Sequence, residues 1–133
     1  TLNNSVETLY VVNVYDNTVS VVNTKTWAQN VVKVGEHPYC SAVSADDKTI
    51  YVTNTRDDTV SVIDIATQMT IAAIEVGMTP EGISYAAEGA QILVASWGEN
   101  KVSIIDAKTN KVITHVKTGS KSRAFGQFIL SEQ

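Results

Sequence analysis

The stretch Ile50-Tyr51-Val52-Thr53-Asn54, followed by Asp57-Asp58-Thr59-Val60-Ser61-Val62-Ile63-Asp64, joins two short runs of β-branched and aromatic residues through a polar turn. Runs of that length, bounded by Asn and Asp, read as an antiparallel hairpin. The pattern recurs on both sides. Leu9-Tyr10-Val11-Val12-Asn13 leads to Asp16-Asn17-Thr18-Val19-Ser20-Val21-Val22-Asn23. Ile92-Leu93-Val94-Ala95-Ser96 leads to Glu99-Asn100-Lys101-Val102-Ser103-Ile104-Ile105-Asp106. A glycine closes each copy, at Gly35, Gly77 and Gly119, 42 residues apart in each case. A period of roughly 40–45 residues holding several short strands is the signature of a β-propeller blade.

Composition points the same way. The 133 residues include 19 Val, 11 Ile and 15 Thr against four Leu, a bias toward side chains that are stiff at χ1 and suit a pleated sheet. The chain reads as all-β. Its formal net charge of −4 offers no electrostatic case for nucleic acid or an anionic membrane. No apolar run approaches the roughly 18–20 residues of a membrane helix. No signal-peptide pattern is present, which says nothing of compartment in a chain that begins at Thr1. A lone Cys40 excludes an internal disulfide.

Four strands per period are predicted, lettered A to D from the inside of a blade outward. In the middle copy Thr49–Asn54 is B, Thr59–Asp64 is C, Thr70–Val76 is D, and Glu81–Ala86 is A of the next blade. One domain over 1–133 then holds repeats at about 7–47, 48–89 and 90–130. After strand C each copy has Asx-x-x-Thr (Asn23 to Thr26, Asp64 to Thr67, Asp106 to Thr109), a side chain placed to cap the C–D turn.

The string Tyr51-Val52-Thr53-Asn54, with Thr59-Val60-Ser61-Val62-Ile63-Asp64, Val76-Gly77 and Pro80-Glu81-Gly82, resembles the YVTN-type β-propeller repeat. Ser122 to Ile129 resembles the closing strand of such propellers. The likeness spans nearly the whole chain and is most specific in the middle copy; the first copy has Val12 for the threonine, and the third has Ser122 where proline is expected. The resemblance implies a propeller and a periplasmic, extracellular or cell-surface location, and little about activity.

Three blades do not close a ring of the usual four to eight. The count begins at a strand B and ends on an extra strand A near Ser122–Ile129, so the first blade lacks its A strand and the last A strand lacks its blade. A head-to-tail homodimer would supply both and complete six blades. A fragment of a longer propeller is the alternative.

The D–A and B–C loops share one end of a propeller, around the mouth of its channel. Tyr15, Arg56 and Trp97 hold matching B–C positions; Tyr39, Glu81 and Arg123 hold matching positions after the D–A loops that carry His37 and Lys121. Scaffold demands repeat with the blade, so these large non-repeating groups form the candidate ligand-binding set. A solvated, unselected loop surface explains them equally. The inner strands offer no carboxylate ring for calcium, and haem or zinc wants histidines where there are two. His115 is expected on the outer strand facing solvent, Cys40 as a small buried filler, Trp27 over a blade edge, and Trp97 in packing or as a stacking platform. The residues thus favour a non-enzymatic binding module without metal or cofactor. The alternatives are part of a quinoprotein or haem-type redox propeller and a structural surface-layer repeat.

Overall fold

A computed structural model describes residues 1–88 and 90–124. Eleven strands form three antiparallel sheets in chain order. The first is β1 (Thr8–Asn13), β2 (Thr18–Asn23) and β3 (Gln29–Lys33). The second is β4 (Pro38–Val43), β5 (Thr49–Asn54), β6 (Thr59–Asp64) and β7 (Met69–Glu75). The third is β8 (Pro80–Ala86), β9 (Gln91–Ser96), β10 (Lys101–Asp106) and β11 (Lys111–Lys117). Strands B and C of the middle copy fall where the sequence puts them. Strand D begins and ends one residue earlier, and β6–β7 and β10–β11 slip register at Val62/Ile63 and Ile104/Ile105, leaving Ile71 and Ile113 unpaired and exposed.

The sheets stack face to face. Tyr10, Val19, Val21 and Val32 of the first pack on Ile50, Val52 and Ile63 of the second. The other face of the second sheet, with Tyr51, Val60, Val62 and Ile74, packs on Ile83, Ile92, Val94 and Ile105 of the third. The middle blade is therefore covered on both sides, whereas the end blades each leave one face open. Val11 is 42% exposed where its repeat equivalent Val52 is 0%, and Val116 is 50% exposed where Ile74 is 6%. The first sheet has three paired strands, as the strand count anticipates, but its inner position is partly filled. Thr1 exchanges backbone hydrogen bonds with Tyr10, and Leu2 bridges Leu9. Residues 125–129 of the expected closing strand lie outside the described residues.

Turn chemistry repeats as strictly as the strands. All twelve non-glycine residues with positive φ fall at four turn positions, each used three times: Val6, Asp47 and Ala90; Asn17, Asp58 and Asn100; Trp27, Gln68 and Asn110; His37, Thr79 and Lys121. The C–D turns are capped as expected. Asn23 Oδ1 accepts the N–H groups of Lys25 and Thr26, Asp64 Oδ1 that of Thr67, and Asp106 Oδ1 that of Lys108. Trp27 sits in the left-handed slot of its turn and is 73% exposed, so it does not cover the blade edge as expected.

The glycines repeat because backbone from one blade must approach the next. A Cβ on Gly35 would lie within 2.7 Å of the Asn54 amide carbon, and one on Gly77 within 2.7 Å of Ser96 Cβ. Gly119, which faces no described blade, would meet nothing within 4 Å.

Two outcomes follow from these contacts. Gly35→Ala and Gly77→Ala should each destabilise by about 1–3 kcal/mol through overpacking, with Gly119→Ala near neutral; equal denaturant midpoints for all three would contradict the close-approach account. The Asp64 carboxyl is held below its usual range by the Thr67 N–H and then its hydroxyl, and that of Asp106 by the Lys108 N–H and then the Thr109 hydroxyl. Their folded values being depressed, the stability these caps lend is complete above the ordinary value of about 4 and is lost as pH falls through the folded one. An Asp64→Asn, Asp106→Asn double variant should therefore show a shallower acid limb in urea midpoint against pH.

Candidate functional site

The mouth is built by a backbone relay between neighbouring blades. Asn17 Oδ1 accepts the His37 N–H at 2.9 Å, Asp58 Oδ1 the Thr79 N–H at 2.8 Å, and Asn100 Oδ1 the Lys121 N–H at 2.6 Å. Each B–C turn thus holds the D–A loop that leaves its own blade. The loop then reaches forward: Thr55 N–H donates to the His37 carbonyl and Trp97 N–H to the Thr79 carbonyl of the following B–C turns. These cross-loop clamps join residues about 20 apart, so local spacing did not reveal them. They explain why His37 and Lys121 stand where they do, since both occupy the repeated left-handed slot.

On that frame the eight candidate residues divide. Glu81, Trp97 and Arg123 come together. The Arg123 guanidinium lies 5.3 Å from the Trp97 ring centroid, and its Nε is 3.5 Å from Glu81 Oε2. Glu81 is only 9% exposed. Tyr15 and His37 form a second pair, rings edge to face at 5.5 Å and 89°, with Tyr15 90% exposed. Tyr39 turns to the channel side. Arg56 and Lys121 are exposed and join neither cluster through a described side-chain contact; each is tied by its backbone N–H, to the Glu36 carbonyl and to Asn100.

Behind the mouth, on the channel side, lies a cavity of about 1190 Å³. Its walls are β1 at Leu9–Val12, β4 at Tyr39–Val43 and β8 from Ile83, and polar groups line it from β1, β4 and β8 (Tyr10, Tyr39, Cys40, Ser41, Ser84 and Tyr85) and from Thr1, Asn4 and Glu88 beside them. Tyr10 is buried and its hydroxyl has no described hydrogen-bond partner. Cys40 is half-buried: it packs against the core between the second and third sheets, as expected, and also lines this space, and its thiol is pushed up by burial and then by Glu81. His115, expected in solvent, is exposed yet its Nδ1 lies 3.1 Å from the buried Ser103 hydroxyl. No group of three or more His, Cys, Asp or Glu is poised to hold a metal among the described residues. No described helix is long and apolar enough to cross a membrane.

The comparisons with known proteins bear on this channel. The model of the Cytochrome D1 heme domain family matches residues 4–124. Among solved structures, Kuenenia stuttgartiensis hydrazine synthase is 30% identical with a TM-score of 0.86, over 90% of this chain and 35% of that one. Dihydro-heme d1 dehydrogenase NirN in complex with DHE is 14% identical with a TM-score of 0.74, over 87% of this chain and 25% of that one. Apo AztD from Citrobacter koseri is 17% identical with a TM-score of 0.68, over 79% and 30%. The last two likenesses are of fold alone. The chain spans about a third or less of the length of these structures. No curated protein matches.

Arg123 is the linchpin of the larger cluster. Arg123→Ala should destabilise by about 1–3 kcal/mol, because it strips a nearly buried carboxylate of its ion pair. The loss should shrink in a Glu81→Gln background, and tryptophan emission should change with it. Equal losses in both backgrounds would show that Glu81 and Arg123 are not coupled.

Proposed function

The chain belongs to the Cytochrome D1 heme domain family, and from that premise we propose that it is a three-blade portion of a haem-type redox propeller. One observation carries the reading: a family match over 4–124 that coincides with three stacked blades whose inner strands line an open, channel-side cavity. The binding-module reading favoured by the residues alone gains no support from the family or from these neighbours. The YVTN-type likeness is met at the level of the propeller fold. An extracytoplasmic location and completion of the ring by further blades, whether from a second copy head to tail or from more chain, belong to the proposal.

The group implied by the family is a haem, and the cavity meets that demand only in part. Its walls of Val11, Val12, Val43, Ile83, Tyr39 and Tyr85 suit the flat apolar face of a macrocycle. No histidine, methionine or lysine lines it among the described residues, so the Cys40 thiol and the Tyr10, Tyr39 and Tyr85 phenols are the haem-type donors it would offer. No step through the iron is derived from these blades.

The test is the absorption spectrum and iron content of the protein isolated in its native assembly. A stoichiometric haem-type chromophore with iron is the expected result. A colourless, iron-free assembly would overturn the redox reading.

A further inference from the structure

We infer that a second copy of this chain docks head to tail on both open ends, the first blade of each copy receiving the third blade of the other. The inference rests on the ring-completion part of the reading above and makes no use of haem.

The faces left open at the ends are the two kinds of face that already meet inside the chain. The forward face of the second blade (Val60, Val62 and Ile74) packs on the backward face of the third (Ile92, Val94 and Ile105). The third blade carries Val102, Ile104 and Val116 at the register positions of that forward face. The first blade carries Leu9, Val11 and Val22 at the positions that Ile50, Val52 and Ile63 hold in the second. These six end residues are half-buried or exposed, whereas their counterparts in the second blade are buried. One chain thus holds both halves of an apolar joint that it makes twice internally. Two chains satisfy all four open faces with six blades, within the usual four to eight.

Two features without a use inside the chain find one at this joint. Trp27, Gln68 and Asn110 share a left-handed turn slot. In the second blade the slot touches the blade before it, where the Asn30 amide donates to Gln68 Oε1 at 2.6 Å. Gln68 and Asn110 are half-buried; Trp27, with no described blade before it, is exposed. Left-handed backbone costs a bulky tryptophan more than the glutamine or asparagine that makes the same turn. At the joint the indole lies over the partner's Thr114, which holds the ladder position of Asn30. Gly119 is the second feature. Gly35 and Gly77 admit Asn54 and Ser96 of the following blade, and Gly119 keeps their spacing where no described blade follows. The partner's Asn13 takes that place. Thr1 and Leu2 already pair with Tyr10 and Leu9, so the joint is made by stacked faces and not by exchange of an inner strand along that edge.

The test is the molar mass of the 133-residue chain by light scattering across the micromolar range. A mass near twice 14.4 kDa is expected. Tryptophan emission should move to shorter wavelength as the pair forms, a shift lost in Trp27→Gln. Val22→Lys and Val116→Lys each place a charge in both joints and should weaken association at least about a hundredfold. Mixed in equal amounts, these two variants leave one joint with native faces on both sides and associate again. A symmetric face-to-face dimer would be broken by only one of them. The parent's mass and Trp27 emission stand independently of how the lysine variants fold. A monomer throughout, a mass that keeps growing with concentration, or a dimer that either lysine variant leaves intact would overturn the inference. A colourless dimer would count against the haem-type reading alone, and a haem-bearing monomer against the joint alone.

Discussion

The structure depends on burying both faces of a flat sheet. A four-stranded blade has apolar side chains on each side, and neither side can be covered by the blade itself. The middle blade solves this by receiving the Tyr10 face of one neighbour and offering its Tyr51 face to the other. Stacking in one direction follows, with inner strands β4 and β8 closer together than the outer strands β3, β7 and β11. Because backbone must pass close between blades, glycine is required at 35 and 77. Because loops must turn sharply to keep strands in register, twelve residues accept positive φ. Left-handed geometry at a non-glycine residue costs about 1–3 kcal/mol and persists where neighbours over-determine it. The Asx clamps of the mouth supply that determination at His37, Thr79 and Lys121.

The candidate site inherits its geometry from these constraints. A repeated backbone slot fixes where a loop side chain starts, and the identity of that side chain is then unconstrained by the scaffold. His37, Thr79 and Lys121 share one slot and differ in chemistry; so do Thr55 and Trp97 in theirs, and Arg56 and Gly98 in the next. Only where two such slots meet do the side chains form a cluster. Arg123 meets Trp97 and Glu81 because Gly82, beside Glu81, lets the chain at Ala124 come down onto β8; a Cβ there would collide with the Ala124 carbonyl oxygen.

Strands B and C and the C–D caps were legible because they depend on local alternation and on spacings of two or three residues. The family-like copies also carried the blade order and the absence of a full first inner strand. Strand D was read one residue late, and its outward faces less well, because a bulge at Ile71 or Ile113 is a tertiary adjustment with no local marker. His115 is exposed, as alternation from Lys117 places it, and the contact of its ring with Ser103 across the ladder is what alternation did not show. In the mouth, Tyr39, Glu81 and Arg123 stand in register as expected, but Trp97 does not match Tyr15 and Arg56: its backbone takes the place of Thr55, and Gly98 that of Arg56, because the repeated clamps to the D–A loops fix the register. The Asn17–His37 type of clamp and the Glu81–Arg123 pair join residues 20 and 42 apart, and only the closed arrangement of blades brings them together.

Departures from the repeat mark where chemistry can be written, and their distribution here is uneven. In the first two blades Asn13 and Asn54 donate to a threonine and a serine hydroxyl on strand C. In the third, Ser96 and Lys101 replace that asparagine and threonine; Lys101 pairs instead with Glu99 at 2.6 Å, and Ser103 turns to His115. Trp97 and Arg123 are added at the same mouth. These changes lie at the mouth and along the outer ladder, while the cavity wall is mostly hydroxyls, phenols and aliphatic side chains, with the Cys40 thiol, Asn4 and Glu88 among them. Above that wall Arg123 is held against the third blade, its guanidinium over Trp97 and its Nε 3.5 Å from Glu81 on β8, so the rim's chemistry is set by a contact between two repeats and not by the repeated scaffold.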